Sequence, residues 1–182
     1  AQKIESNIWV GNNATAGEFD GFLNLLLADG DVVDVGASAV TASNVVTELQ
    51  KVVDAIPTAV YGSPELKLYV SNNVARAYIS SLGGFGASGL GANGFEGKGH
   101  NQGFSELTFG GIPLFVLPSF GTNKVVAAET SNLFFGTGLL NDSNEVKVLD
   151  MADLDGSQNV RVIVRFTAAV QFGIGAEIVL YS

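Results

Sequence analysis

The clearest periodic pattern of the chain lies at residues 41–57, TASNVVTELQKVVDAIP. Its apolar side chains recur at the spacing of one helix face, and they are Val45, Leu49, Val52, Val53 and Ile56. Thr41 or Ser43 could accept a bond from the first turn, and Pro57 ends the helix because it has no N–H to donate. The other side carries Thr47, Glu48, Gln50, Lys51 and Asp54. The pattern therefore predicts a helix that lies on a surface rather than through a core.

Two further helices are predicted from shorter patterns. Apolar residues group on one side of a segment that Asp29-Gly30-Asp31 ends, and they are Phe22, Leu23, Leu26 and Leu27. A strand is predicted at 66–70, followed by Ser71 as the cap of a helix at 72–82. Gly83 and Gly84 close that helix. Trp9 stands in the apolar stretch Ile8–Val10, where a core or lobe-interface role is favoured over a partner anchor.

The second half of the chain has the character of strands. SELTFGGIPLFVLPS predicts two short strands around a turn at Gly110-Gly111, and KVVAAE and NLFFGTGLL follow. At the end, 145–151 and 159–170 are predicted strands joined by a turn at Asp155-Gly156, and GAEIVLYS supplies a third. Valines alternate with Arg161, Ile163 and Arg165, which is typical of a two-faced antiparallel sheet. Helices and strands together indicate an α+β fold.

A glycine-rich segment occupies residues 83–103, GGFGASGLGANGFEGKGHNQG. It contains the spacing G-x-G-x-x-G twice, at Gly84, Gly86 and Gly89 and again at Gly89, Gly91 and Gly94. A dinucleotide site needs a strand before these glycines and a helix after them, because the pyrophosphate sits on the N–H groups of that helix. Here a helix precedes them. We therefore predict an exposed, mobile loop rather than a phosphate site.

Few residues form a pattern with known chemistry. His100 is the only histidine, and it lies in the glycine-rich segment together with Ser88. Asp153, Asp155 and Gly156 follow a calcium-loop order, but Met151 stands at the first ligand position and Val162 at the bidentate one. Three further aspartates more often end a helix and begin a strand than bind a cation, and they are Asp29, Asp31 and Asp34. We assign no catalytic, cofactor-binding or metal-binding residue.

Composition narrows the classes of function. The 182 residues are 47% apolar and only 15% charged, so this chain folds, and part of so large an apolar area is expected to be covered by partners. The net charge is −9 and the nine basic residues are scattered, which argues against sequence-specific nucleic-acid binding. The longest apolar stretches are too short to span a membrane. There is no cysteine for a disulfide or a thiolate site.

The order of these segments and their local sequence patterns resemble those of the tailed-bacteriophage major capsid protein, whose shell fold is shared with encapsulins. The resembling segments are IWVGN, FDGF, TASNVVTELQKVVDAIP, ELKLYVSNNVARAYISSLGG, FGGIPLFVLPS and the run from Asn132 to Ser182. The resemblance implies a spine helix at 41–56, a mixed axial lobe and a C-terminal antiparallel sheet. It divides the chain into a peripheral lobe, 1–62 with 143–182, and an axial lobe, 63–142.

The front of the chain departs from that family. Family members carry an N-terminal arm and an extended loop, and neither is evident before the helix at 41–56. We therefore expect this chain to be the C-terminal part of a longer shell subunit. Some shells of the family are cross-linked between a lysine and an asparagine, and no local pattern assigns such a pair here.

The function implied by the resemblance is structural and not enzymatic. A major capsid subunit, or its folded core, assembles into an icosahedral shell around a genome. Its expected partners are copies of itself in pentamers and hexamers and other head proteins, with no cofactor, no membrane and no sequence-specific nucleic acid. Its expected location is the virion, after production in the bacterial host cytoplasm. Alternatives are an encapsulin-like cargo compartment, a hydrolase that uses Ser88 or His100, and a secreted adhesin-like domain.

Overall fold

The computed structural model describes residues 2–82, 107–117, 119–137, 146–151, 156, 158–164 and 168–182. Their helices are α1 (Gln2–Val10), α2 (Phe22–Ala28), α3 (Val45–Asp54) and α4 (Asn72–Ser81), with short 3₁₀ helices at Thr130–Asn132 and Gly175–Glu177. Their strands are β1 (Val33–Asp34), β2 (Leu66–Ser71), β3 (Thr108–Phe109), β4 (Ile112–Leu117), β5 (Val125–Glu129), β6 (Leu133–Thr137), β7 (Val146–Asp150), β8 (Val160–Val164), β9 (Ala168–Phe172) and β10 (Val179–Tyr181). This content confirms the predicted α+β class.

A six-stranded mixed sheet forms the centre of the fold. Its strand order is β1-β10-β5-β2-β4-β3. Strand β2 is parallel to β4 and antiparallel to β5, and β10 is parallel to β1 and antiparallel to β5. The predicted turn between β3 and β4 is confirmed, because Gly110 and Gly111 both have positive φ, at 59° and 84°. That backbone suits glycine, which has no Cβ to clash.

Each face of the central sheet is covered by a different pair of helices. On one face α3 and α4 pack against the sheet, and this core includes Val45, Leu49, Val52, Leu68, Val70, Val74, Leu114 and Tyr181. On the other face α1, α2 and β9 pack against the sheet, with Phe22, Leu26, Phe120, Val126, Phe172 and Leu180 among the buried residues. The predicted apolar stripe of the helix at 41–57 is therefore confirmed.

The start of α3 differs from the prediction. Neither Thr41 nor Ser43 caps it, since the helix begins at Val45 with Asn44 at the cap position. The Asn44 side chain instead accepts a hydrogen bond from Thr41 N–H at 2.7 Å and donates one to Ala39 O at 2.9 Å. Asparagine commonly stabilises such local turns, and this turn occupies the residues predicted as the first helical turn.

The terminal strands pair differently from the prediction. The segments predicted at 145–151 and 159–170 do form an antiparallel pair, β7 with β8. However, the second segment divides, since β9 leaves that pair and joins β6. GAEIVLYS is not a third strand of the same sheet, because β10 lies in the central sheet between β1 and β5. Its Val179, Leu180 and Tyr181 side chains are fully buried there, and burial on both faces favours a central position.

Trp9 belongs to the core, as the sequence favoured. Its ring lies 5.1 Å from that of Phe22, 4.9 Å from Tyr69 and 5.1 Å from Phe120, measured between ring centroids. These distances are typical of favourable aromatic pairs. Trp9 thereby fixes the end of α1 against α2 and the central sheet.

Candidate functional site

Several sequence candidates lie outside the described residues. They are the glycine-rich segment at 83–103, with Ser88 and His100, and the acidic pair Asp153 and Asp155. The aspartates at the end of α2 are described and have local roles. Asp29 Oδ1 accepts from Asp31 N–H at 2.8 Å, and Asp34 Oδ1 accepts from Gly36 N–H at 2.9 Å. These bonds match the predicted role of ending a helix and starting a strand.

A buried polar cluster joins α3 to the C-terminal strand. The Tyr181 hydroxyl donates to Glu48 Oε2 at 2.9 Å and accepts from Ser38 N–H at 3.0 Å. Lys51 Nζ donates to both carboxylate oxygens of Glu48 at 2.9 Å. Glu48 was predicted on the exposed polar face, but only 7% of its surface is accessible. Its partners explain the difference, because a buried carboxylate is tolerated when it is paired and hydrogen-bonded.

The same contacts shift the ionisation of this carboxyl. The hydrogen bond from Lys51 lowers the pKa of Glu48, and the bonds from Tyr181 and Ser38 lower it further. Burial opposes these effects, but the net pKa lies below the ordinary value of 4.5. A carboxylate that is held ionised and fully partnered is suited to joining two elements. It is poorly suited to general acid–base chemistry near neutral pH.

A second polar cluster joins α4 to the loop before β5. Asn123 N–H donates to Asn73 Oδ1 at 3.0 Å, and Asn73 Nδ2 donates to Asn123 Oδ1 at 2.6 Å. Asn123 Oδ1 also accepts from Val40 N–H at 3.1 Å. The Ser71 hydroxyl donates to Asn73 Oδ1 at 2.7 Å. Each amide satisfies backbone groups of another segment, so this cluster positions loops and contains no nucleophile–base pair.

One cavity of about 300 Å³ opens between the turn before β2 and the turn between β3 and β4. It is lined by Tyr61, Gly62, Ser63, Pro64, Leu66, Gly110, Gly111, Ile112 and Pro113. Tyr61 is half exposed at its rim. The Tyr61 and Ser63 hydroxyls are the polar side-chain groups of this lining.

The exposed apolar residues concentrate on the β6–β9 and β7–β8 pairs. Val148, Val160 and Val162 are 63%, 63% and 59% exposed on the β7–β8 hairpin. Phe134 and Phe135 on β6 are also about half exposed. A two-stranded hairpin is marginally stable by itself in water, and contiguous exposed apolar residues mark interaction surfaces. The exposed apolar side chains of these strands are therefore a candidate contact surface.

The described residues contain neither a metal-binding group of side chains nor a membrane-spanning helix. In the described part of the chain, no three His, Cys, Asp or Glu side chains are grouped so that they could hold a metal ion. None of the helices that the structure describes is long and apolar enough to cross a bilayer.

Sequence reasoning missed the Glu48 cluster and the exposed valine face of the hairpin. The first had one local signal, since Glu48 lies between Val45 and Leu49 at the border of the apolar stripe. Its partner Tyr181 is 133 residues away, and no periodicity identifies such a pair. The alternation on β8 was recognised, but not that Val160 and Val162 are exposed.

The fold of the chain is shared with proteins of known structure. No protein-family model matches the sequence, and no curated protein matches it. Solved structures do match, among them three at low sequence identity. A chain from a structure of Mycobacterium phage Che8 has a TM-score of 0.61 and 16% identity over 83% of this chain. A chain from the procapsid of satellite phage P4, which includes the size determination (Sid) protein, has a TM-score of 0.63 and 13% identity over 99%.

The third structure is a virus-like particle from Pyrococcus furiosus, with a TM-score of 0.56 and 16% identity over the whole of this chain. The present chain spans only 53%, 58% and 63% of the lengths of these three chains, in the same order. These likenesses show that the chain has the fold of phage major capsid proteins, and they confirm the resemblance found from the sequence.

Proposed function

We propose that this chain is a shell subunit, a major capsid protein or its folded core, that assembles with copies of itself into an icosahedral shell enclosing a genome. One observation carries the proposal: the fold matches a chain of a phage procapsid over 99% of the present sequence. The exposed valines of the β7–β8 hairpin support it, because assembly would bury them. Closure multiplies many modest contacts, so each interface can be weak while the shell is stable.

Electron microscopy of the purified chain over a range of concentration and salt tests the proposal. We expect rings, capsomers or closed particles. A monomer under every condition, without particles or capsomers, would count against the assembly of this chain into a shell. The proposal places the protein in the virion, among other head proteins.

The net charge of −9 supports a shell that encloses nucleic acid without gripping it. We therefore expect no sequence-specific binding to DNA or RNA. Fluorescence anisotropy with unrelated duplexes tests this, and a preference for one sequence would contradict it.

A compartment that encloses protein cargo is the second candidate. The match with a virus-like particle from Pyrococcus furiosus favours it. The ratio of absorbance at 260 nm and 280 nm separates the two candidates. Particles filled with nucleic acid support the capsid, and particles that copurify with an enzyme support the compartment.

The division into a peripheral lobe, 1–62 with 143–182, and an axial lobe, 63–142, stays a prediction. The central sheet takes strands from both parts, because β10, which pairs with β1 on one side, pairs with β5 on the other. We also infer that the chain is not an enzyme, since the structures it resembles come from phages and particle shells. A measured hydrolase activity that His100→Ala abolishes in a folded protein would overturn this inference.

A further inference from the structure

Strand β1 forms an edge of the central sheet, and its backbone groups alternate in direction. Val33 N–H donates to Ile178 O at 3.1 Å, and Val35 N–H donates to Leu180 O at 3.0 Å, so both residues face β10. Successive residues of a strand turn their N–H and C=O groups to opposite sides. Those of Asp34 consequently point outward, where the described residues contribute no further strand.

Strand β8 has an outward-facing edge of a matching kind. Met151 N–H donates to Asn159 O at 3.0 Å, which makes these residues a hydrogen-bonded pair of the hairpin. Hydrogen-bonded and non-hydrogen-bonded pairs alternate along an antiparallel ladder. Val160 and Val162 therefore fall in non-hydrogen-bonded pairs with β7, and their backbone groups point away from β7. Within the described residues, β8 has no neighbour on that side.

The two edges fit each other in one direction. In a parallel ladder, one outward-facing residue bonds to the two residues that flank its opposite neighbour. Asp34 would donate to Val160 C=O and accept from Val162 N–H, which places Arg161 directly opposite Asp34. Both charged side chains are exposed. An opposite-charge pair at such a position stabilises a ladder.

The residues on either side of that charge pair also match. The β1 segment reads Val33-Asp34-Val35 and the β8 segment reads Val160-Arg161-Val162. Parallel addition therefore places valine against valine on both sides of the Arg–Asp pair. In the antiparallel direction, the same outward groups would place Asp34 opposite a valine, and the charge pair would be lost.

We propose that β8 of one copy adds in parallel to β1 of a second copy, so that the central sheet continues across the subunit boundary. This inference rests on the proposed function, because it requires self-assembly, and it names the contact. Charge complementarity favours a second copy, since the chain has no Lys or Arg between residues 4 and 50 and the β1 end is acidic. The contact is head-to-tail, of the kind that builds rings.

The absence of cysteine from the chain makes disulfide mapping specific. Val35→Cys and Val162→Cys, made in separate chains with different tags, place two thiols opposite each other in the proposed register and leave the charge pair intact. We expect a mixed disulfide dimer on oxidation. The matched control pairs Val162→Cys with Val46→Cys, a half-exposed valine on α3. The inference would be overturned if the control pair formed a disulfide dimer in equal yield. It would also be overturned if the Val162→Cys chain preferred to form a disulfide with a second Val162→Cys chain.

The direction of the strands has its own test. Asp34→Cys with Val162→Cys places the thiols opposite each other only in an antiparallel register. A higher yield from that pair than from Val35→Cys with Val162→Cys would contradict parallel addition.

Charge reversal tests the Asp34–Arg161 pair. Arg161→Glu and Asp34→Arg are each expected to weaken self-association about tenfold or more, measured by analytical ultracentrifugation. In an equimolar mixture of the two variants, every contact between unlike chains pairs opposite charges, so association is expected to recover, and the double variant repairs all of its own contacts. Arg76→Glu, at an exposed position of α4, is the control and should leave association unchanged. If the double variant did not regain self-association, the proposed Asp34–Arg161 charge pair would be overturned.

The outcomes separate this contact from the proposed function. Particles by electron microscopy without the expected disulfide would reject the contact and leave the shell function standing. No self-association under any condition would reject both. Particles in which Val35→Cys and Val162→Cys form the expected disulfide support both the contact and the shell function.

Discussion

The Tyr181 hydroxyl and the Glu48 carboxylate lie 2.9 Å apart in the buried core, although 133 residues separate them in the chain. Tyr181 is fully buried on β10, and Glu48 faces it from α3. This bond joins the C-terminal strand to a helix from the first third of the sequence. Lys51 completes the arrangement from the solvent side, since its own side chain is half exposed.

Tyr181→Phe is expected to destabilise the chain by about 2 kcal/mol, because it removes the hydroxyl that donates to the buried Glu48 carboxylate and leaves the Ser38 N–H without its acceptor. Urea unfolding followed by circular dichroism measures the loss. Tyr61→Phe is the matched control, since that tyrosine is half exposed and should change stability by less than about 0.5 kcal/mol. Equal effects of the two variants would show that the hydroxyl of Tyr181 is not a structural link.

Glu48 also predicts how stability depends on pH. Its pKa in the folded chain lies below 4.5, and the Lys51 hydrogen bond is the largest cause. A lowered pKa means that the carboxylate contributes stability above the pKa of the unfolded chain, and that this contribution is lost as the pH falls through the folded value. The difference in unfolding free energy between the parent and Glu48→Gln should therefore be constant near pH 7 and shrink below about pH 4.5.

Urea midpoints from pH 7 to pH 3 measure that difference. Glu65→Gln, at an exposed position, serves as the control. A difference that grows on acidification would mean that the sign assigned to Glu48 is wrong.

Local patterns predicted the elements whose signals are contiguous in sequence. The stripe from Val45 to Ile56 required nothing beyond α3 itself, and the glycine pair at 110–111 defined the turn between β3 and β4. The partners of β10 were not predictable in this way. Val179 pairs with Val33 on one side and with Ala127 on the other, and these pairings depend on how the whole sheet is assembled.

The candidate contact surface shows the same limit. The alternation Val160-Arg161-Val162 indicated a two-faced strand, but not which face would be covered. Only the three-dimensional structure shows that Val160 and Val162 remain open to solvent. The family fold was recognised from the order of the helices and strands and from local sequence patterns. A catalytic motif was not needed for this, since a shell fold requires none.

Trp9→Ala is expected to destabilise the chain by about 3 kcal/mol or more, because it removes a ring that contacts Phe22, Tyr69 and Phe120 and leaves a cavity between α1 and the sheet. Trp9→Phe should cost less, since it keeps an aromatic ring there. Calorimetry measures both. Tyr61→Ala, at an exposed aromatic position, is the control, and a Trp9→Ala effect no larger than this one would contradict the core role.

Asn132 fixes the turn after β9 with three hydrogen bonds. Its Oδ1 accepts from Gly173 N–H at 3.0 Å and Ile174 N–H at 2.8 Å, and its Nδ2 donates to Ile174 O at 2.9 Å. Asn132→Ala removes all three, and we expect a loss of about 3 kcal/mol. Gly173→Ala should also destabilise, because a Cβ there would lie 2.8 Å from Asn132 Oδ1. Gly30→Ala, with open space at its Cβ, is the control. If both glycine variants unfold at the same urea concentration, the close approach of Asn132 to Gly173 does not exclude a side chain at that position.

Asn123 combines two roles that substitution can separate. Its φ of 55° lies in the left-handed region, and its side chain bonds to Asn73 and to Val40 N–H. Asn123→Gly removes the side-chain bonds without straining the backbone, because glycine tolerates a positive φ. Asn123→Ala removes the same bonds and adds backbone strain of about 1 kcal/mol. We therefore expect both variants to be less stable than the parent, and Ala to be the less stable of the two.

Asn73→Ala disrupts the same network from the partner residue. It leaves the Asn123 N–H and the Ser71 hydroxyl without an acceptor. Because Asn73→Ala and Asn123→Gly break one shared network, their losses of stability should not add in the double variant. Unfolding in urea measures all four proteins. Additive losses would show that the two amides stabilise the fold independently, and an Asn123→Gly variant less stable than Asn123→Ala would refute the role of the left-handed backbone.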